Sequence, residues 1–277
     1  MNQYAITLKN LYRMLTVNDY PIFSNGIIPA SQRKGITLTS FWRNVLVSDW
    51  QYGPYGKEIW NKQKSRYCSD FCNRKDTVPF YDAYQTREEY AYYLMAKAAN
   101  ININESCLVK ENNDYHFMSK RFDRYFDSNG KLQKRHMQSL CGLAHIDYID
   151  KHSFSYSTIF DVMEQLNIDF IERYELFRRM VFNVVTVNND DHSKNFSFLM
   201  DKDGSWHLSP AYDLSYANDP TSNYINNHQC LINGKSLDIT VDDILKVGEK
   251  AGLNNKKMLT IIKEVESSAK EWFKFAK

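Results

Sequence analysis

Apolar residues at Leu176, Phe177, Met180, Val181, Val184 and Val185 follow the i, i+1, i+4, i+5, i+8 spacing of one helix face, which predicts a buried helix over residues 171–187. The run breaks off into Asn188-Asn189-Asp190-Asp191-His192-Ser193-Lys194-Asn195, residue types that prefer turns to helix. Aromatic alternation in Phe196-Ser197-Phe198-Leu199 then predicts a strand, Asp201-Lys202-Asp203-Gly204 a turn, and Ser205-Trp206-His207-Leu208 a second strand. A second hairpin is expected from Cys107 to Lys110 and from Tyr115 to Lys120, joined by Asn112-Asn113-Asp114. Thr86-Arg87-Glu88-Glu89 has the spacing of a capping box and predicts a helix whose face carries Ala91, Leu94, Met95 and Ala98.

From His136 the pattern turns mostly helical, over residues 136–145, 155–166 and the run already named. Residues 63–85 show no sustained period and read as loop, and residues 216–236, rich in Asn, Ser, Pro and Gly, read as a long surface loop suited to an acceptor platform. Thr240-Val241-Asp242-Asp243 caps a helix that stops near Gly248 to Gly252, and residues 255–273 form a last amphipathic helix.

The chemistry lies where the buried helix meets the first hairpin described. Asp190, Asn195 and, past the hairpin, Asp213 supply a carboxylate, an amide and a second carboxylate in the order used for phosphoryl transfer. There, one Asp takes or orients the acceptor hydroxyl's proton while an Asn and another Asp hold magnesium through hard oxygens. The later Asp is followed by Leu214 rather than the Phe-Gly usual in protein kinases. Asp191 adjoins Asp190 but should point elsewhere, because neighbouring residues do not share a direction.

Asn189-Asp190-Asp191-His192-Ser193-Lys194-Asn195-Phe196-Ser197, with Leu208-Ser209-Pro210-Ala211-Tyr212-Asp213-Leu214, resembles the catalytic signature of the HipA-like serine/threonine kinases, the toxin kinases of bacterial toxin-antitoxin systems. His116 to Arg124 and His136 to Leu143 are similar to that family's hinge segment and the segment after it, so the resemblance runs over about residues 84–216. It implies an α+β, two-lobed protein-kinase-like fold, with a small mixed β-rich lobe over residues 1–121 and a mainly helical lobe over residues 122–277. The chain is similar to the short forms that lack the family's N-terminal subdomain.

The same resemblance implies ATP and Mg2+ as cofactors. Asp190 would be the catalytic base, with Asn195 and Asp213 holding the metal. Gln32 and Lys34, in a phosphate-covering loop, and Lys62 would bind phosphate, the latter paired with Glu89. Lys120, Arg121 and Phe122 would form the hinge against adenine, and His192, Lys194 and Tyr212 would complete the nucleotide site. For Glu89, capping of Thr86 competes with pairing to Lys62; for the phosphate loop, Gly53-Pro54-Tyr55-Gly56-Lys57 competes with Gln32-Arg33-Lys34. A protein substrate is implied, such as an aminoacyl-tRNA synthetase, and an antitoxin partner.

Composition excludes more than it selects. With 43% hydrophobic and 25% charged residues the chain is of ordinary globular type, and it has no run near the about 20 apolar residues of a membrane span. A cytoplasmic protein with no membrane contact is expected. The net charge of +2 gives no footprint for direct nucleic-acid binding. Five cysteines suit a reducing compartment, and Cys68 and Cys72 lack a second pair at zinc spacing. Two alternatives stand beside the kinase: a nucleotide-binding pseudokinase acting through protein contacts, and a metal-dependent phosphohydrolase built on Asp190, Asp191, His192 and Asp213.

Overall fold

A computed structural model describes residues 83–111 and 114–276. Gln32, Lys34, Lys62 and the glycine loop at Gly53 lie outside the described residues. Helix α1 (Ala83–Ala98) leads into the hairpin β1 (Ser106–Glu111) and β2 (Asp114–Ser119), followed by a small hairpin β3 (Arg124–Phe126) and β4 (Leu132–Lys134). Next come β5 (His136–Ser139), the short α2 (Leu140–Leu143), α3 (Tyr156–Gln165) and α4 (Phe170–Val185). Strands β6 (Ser197–Met200) and β7 (Trp206–Leu208) precede α5 (Val241–Lys250), α6 (Asn255–Lys270) and α7 (Trp272–Phe275). Every pairing in the three described sheets is antiparallel. This is a mixture of helices and small sheets, the coarse form of the α+β expectation.

Helix α4 is the axis of the core. Asp169 caps its first turn by accepting from the Glu172 N–H, and Leu176, Phe177, Met180, Val181 and Phe182 are buried along it against α6, α3 and β7. Full burial of side chains of this size contributes about 1.5–3 kcal/mol each. Glu172, in the first turn, takes the His207 Nδ1 hydrogen bond at 2.8 Å and the Leu208 N–H, fixing β7 to the helix. That hydrogen bond to Glu172 holds the imidazole of His207 above its ordinary value.

Helix α5 packs tightly because of a glycine in its interior. A Cβ on Gly248 would clash with Met258 Sδ and stand 2.8 Å from Phe177 Cε2, so those two side chains would have to shift. The helix continues past Gly248 to Lys250 and is released at Gly252, where φ is +75°. Gly248→Ala is expected to cost about 1–3 kcal/mol through overpacking, despite alanine's better helix propensity, and thermal unfolding would read the loss.

Three expectations are corrected. Helix α1 already includes Ala83 to Gln85, so Thr86 lies inside it and cannot be its N-cap, and Glu89 is not a capping partner. His136–Ser139 is not helical: it pairs with Ser197–Met200 in the register His136↔Met200 to Ser139↔Ser197, and only Leu140–Leu143 form helix. Pairing with a strand far along the chain overrides the local pattern. Residues 216–236 carry no helix or strand, yet His228, Gln229, Cys230 and Ile232 are buried, so this loop dips into the core rather than staying on the surface.

Candidate active site

Helix α4 delivers the site through a strained turn. Its end has the hydrogen bonds of a Schellman motif, Asn188 N–H to Asn183 C=O at 2.9 Å and Val187 N–H to Val184 C=O at 3.4 Å. The left-handed residue is Val187, with φ +57°, where glycine is usual and a β-branched side chain is unfavourable. Surrounding bonds hold it: the Tyr92 hydroxyl donates to the Thr186 carbonyl at 2.5 Å, and the Ala217 N–H donates to the Val187 carbonyl at 3.1 Å. Strained backbone kept by its surroundings is often found where a loop must aim side chains.

Beyond the turn, Asp190, Asn195 and Asp213 converge. Asn195 Nδ2 donates to the Asp190 carbonyl at 2.8 Å, and Asn195 lines one small cavity together with Tyr212 and Asp213. The Asp190 side chain is 41% exposed, with His192 Nε2 3.9 Å from its Oδ1. Desolvation first, and then Asp191, raise the Asp190 carboxyl against the opposing pull of His192 and Gln229. Asp213 has φ +57° and an exposed surface, yet the protein packed around its carboxyl, through desolvation and then Asp190, raises it as well. Two carboxylates are thus held together against their mutual repulsion.

Tyr212 fixes the segment that carries Asp213. Its hydroxyl donates to the Lys194 carbonyl at 2.5 Å and receives the Ser197 hydroxyl at 2.5 Å, while burial pushes its own ionisation well up. On its other side the Tyr212 ring meets Phe122 at 5.5 Å between centroids, which brings the expected hinge against the segment that carries Asp213. Buried Arg179 of α4 supports the same segment from below, donating to the Ser209 carbonyl at 2.7 Å and to Glu175 at 2.9 Å.

The rest of the expected hinge is tied elsewhere. The Lys120 N–H donates to the Glu105 carbonyl at 2.8 Å, its carbonyl accepts from Asn104 at 2.9 Å, and its Nζ sits 3.4 Å from the Glu105 carboxylate. Arg121 grips Asp123 with two bonds, of 2.7 and 2.5 Å. Burial works to raise the Asp123 carboxyl, but Arg121 and then Arg124 outweigh it and hold it low. Lys194 lies with Nζ 3.1 Å from the centroid of the Tyr148 ring, which also receives His192 edge-on at 5.9 Å. Tyr148 falls within a stretch without periodicity, and no sequence signal marks it.

Asp191 does turn away from Asp190. It is 1% exposed and accepts four hydrogen bonds: from the N–H groups of Gln229 and Cys230 at 2.8 and 3.1 Å, from His228 Nδ1 at 3.0 Å and from the Tyr156 hydroxyl at 3.3 Å. A carboxylate so committed has no lone pair to spare for a metal, which removes the hydrolase arrangement based on it. His228, given no role by the sequence, is therefore its partner. Gln229, also unmarked, places its Nε2 2.7 Å from Asp190 Oδ1.

Small antiparallel sheets set on a helical body, with this loop at their junction, define a HipA-type fold. HipA of Shewanella oneidensis, solved in complex with HipB and operator DNA, is similar with a TM-score of 0.59 over 69% of this chain and 50% of that one, at 17% identity. The profile of the HipA-like C-terminal domain matches residues 69–273, and the chain belongs to that family. Among curated relatives, the Y4mE protein of Sinorhizobium fredii, described as a candidate kinase, is 28% identical over 100 residues, covering 34% of this chain and 24% of that protein. A Haemophilus influenzae protein described in the same way is 28% identical over 142 residues, covering 46% of this chain and 39% of its own. The chain thus aligns with well under half the length of either relative.

Proposed function

We propose that this protein is an ATP- and magnesium-dependent serine/threonine protein kinase. The observation that carries the reading is the meeting of Asp190, Asn195 and Asp213 around one loop, with the Asn195 amide bonded to the Asp190 carbonyl and Asn195 and Asp213 lining one cavity. The donor set fits magnesium: hard amide and carboxylate oxygens, with two like charges crowded together that a divalent cation would relieve. Asn195 and Asp213 would hold the ion, which when bound neutralises charge on the nucleotide phosphates.

Asp190 then orients the acceptor hydroxyl and takes its proton. Phe122, packed on Tyr212, sets the floor of the adenine site, with backbone contacts to adenine coming from Arg121 and Phe122, since the Lys120 amide and carbonyl are already used. His192 and Lys194, steadied by Tyr148, line the side on which phosphoryl charge develops. Gln32, Lys34 and Lys62 would contact phosphate from a nucleotide-covering lobe over residues 1–121 packed on a catalytic lobe over residues 122–277. The acceptor is a protein, with an aminoacyl-tRNA synthetase as one candidate, and an antitoxin partner is proposed by analogy with the HipB-bound relative. Among the described residues no helix is long and apolar enough to cross a membrane, in keeping with a proposed cytoplasmic site of action.

Incubation of the purified chain with γ-labelled ATP and candidate proteins tests this reading. Label should appear on serine or threonine only when magnesium is present, and Asp213→Asn should abolish it. ATP bound without turnover would instead support the pseudokinase.

A further inference from the structure

The dip of residues 228–232 into the core has a cause and a consequence. The cause is Asp191, whose Oδ1 receives the Gln229 and Cys230 N–H groups while Oδ2 receives His228 and Tyr156. Further bonds hold the segment in place: the Gln229 N–H also reaches the Asn189 carbonyl at 3.3 Å, the Leu231 N–H the Phe154 carbonyl at 3.1 Å, and the Tyr156 N–H the Leu231 carbonyl at 3.0 Å. With its backbone pinned on both sides, Gln229 is 3% exposed and has little freedom.

The consequence is that the Gln229 amide is aimed at the neighbouring carboxylate, Nε2 to Asp190 Oδ1 at 2.7 Å. An ionised carboxylate accepts only, so the amide nitrogen must be the donor. His192 Nε2 approaches the same oxygen, at 3.9 Å. Holding a carboxylate by one named oxygen stops its rotation and leaves the other oxygen in a defined direction.

We infer that Gln229 is a positioning residue for phosphoryl transfer, clamping Asp190 through Oδ1 so that Oδ2 meets the acceptor hydroxyl, and that Asp191 acts through it by anchoring the segment. The inference rests on the kinase reading. It divides the adjacent acids: Asp190 reacts, and Asp191 builds the clamp that aims it. Misplacement of a reacting group by about 1 Å can cost on the order of a hundredfold in rate, which sets the scale of the effect.

Three variants of the full chain test the clamp. Gln229→Leu should lower kcat by about ten- to a hundredfold with KM for ATP unchanged. Gln229→Glu keeps the shape but replaces the donor with an acceptor, and should lose at least as much; retention of activity by Glu but not Leu would mean that Gln229 only packs, overturning the proposal. Asp190→Asn combined with Gln229→Glu restores a donor-acceptor pair, so its unfolding temperature should recover relative to Gln229→Glu alone, a readout that needs no activity. Absence of that recovery, or wild-type kcat in Gln229→Leu, overturns the clamp. Recovery in a protein whose wild type transfers no phosphoryl group would overturn the catalytic role together with the kinase reading, leaving the contact purely structural.

Discussion

Asp190→Asn is expected to reduce phosphoryl transfer at least about a hundredfold, the lower range for loss of a positioned general base, while the folded protein stays as stable as before or becomes more so. Asparagine retains an Oδ1 that can accept the Gln229 amide, so the loop keeps its shape. What it lacks is a basic oxygen for the acceptor's proton. The stability side follows from the direction of the shifts. In the metal-free protein, desolvation and mutual repulsion raise the carboxyls of Asp190 and Asp213, so their charged forms are disfavoured on folding. Stability attached to this pair is present while they are protonated and is lost as pH rises through their raised values. A neutral isostere at position 190 removes that cost at neutral pH. Full transfer by Asp190→Asn would end its assignment as base, and a marked fall in unfolding temperature would show that it serves the fold instead.

The parts of this arrangement legible in the sequence are those built from contiguous residues. Helix α4 and the β6–β7 hairpin follow from spacing alone, because the apolar face of Leu176 to Val185 and the turn at Asp201 to Gly204 need no distant partner. With both elements placed, Asp190 and Asn195 must leave the helix end on one short loop, and Asp213 must return beside them at the hairpin's exit. What the sequence hides is set by pairing across long separations. His136–Ser139 reads as the start of a helix until Ser197–Met200 is set against it.

Gln229 is hidden for a related reason. It sits in a polar loop, and its burial depends on a carboxylate encoded far upstream. The apolar triplet Cys230-Leu231-Ile232 is the one local hint that the chain returns to the core there. Thr86 misled in the opposite way, since a capping box is a four-residue pattern that cannot show whether the helix has already begun. Tyr148, under Lys194 and His192, left no trace because stacking on a loop has no periodicity.

Asp191→Ala is expected to be the most damaging single change to the fold around the site, costing on the order of 3–5 kcal/mol and lowering the unfolding temperature by about 10 °C. The side chain is 0% exposed, and its removal leaves the Cys230 N–H, His228 Nδ1 and the Tyr156 hydroxyl without this acceptor, while the Gln229 N–H keeps only its longer bond to the Asn189 carbonyl at 3.3 Å. Each buried donor left unsatisfied costs about 1–3 kcal/mol, reduced where the chain relaxes or water enters. Tyr156 keeps one bond, from Asn183 Nδ2 at 2.9 Å, so the loss concentrates on the 228–230 segment. Asp191→Asn should cost much less, because its remaining oxygen still accepts the two backbone N–H groups and its amide can donate to the Tyr156 hydroxyl. If Asp191 were a second catalytic acid rather than the anchor of Gln229, the order would reverse: Asn would abolish transfer at nearly wild-type stability. Calorimetry of both variants beside a transfer assay distinguishes the two, and an Asp191→Ala protein that melts with the wild type would remove the anchor on which the aim of Gln229 depends.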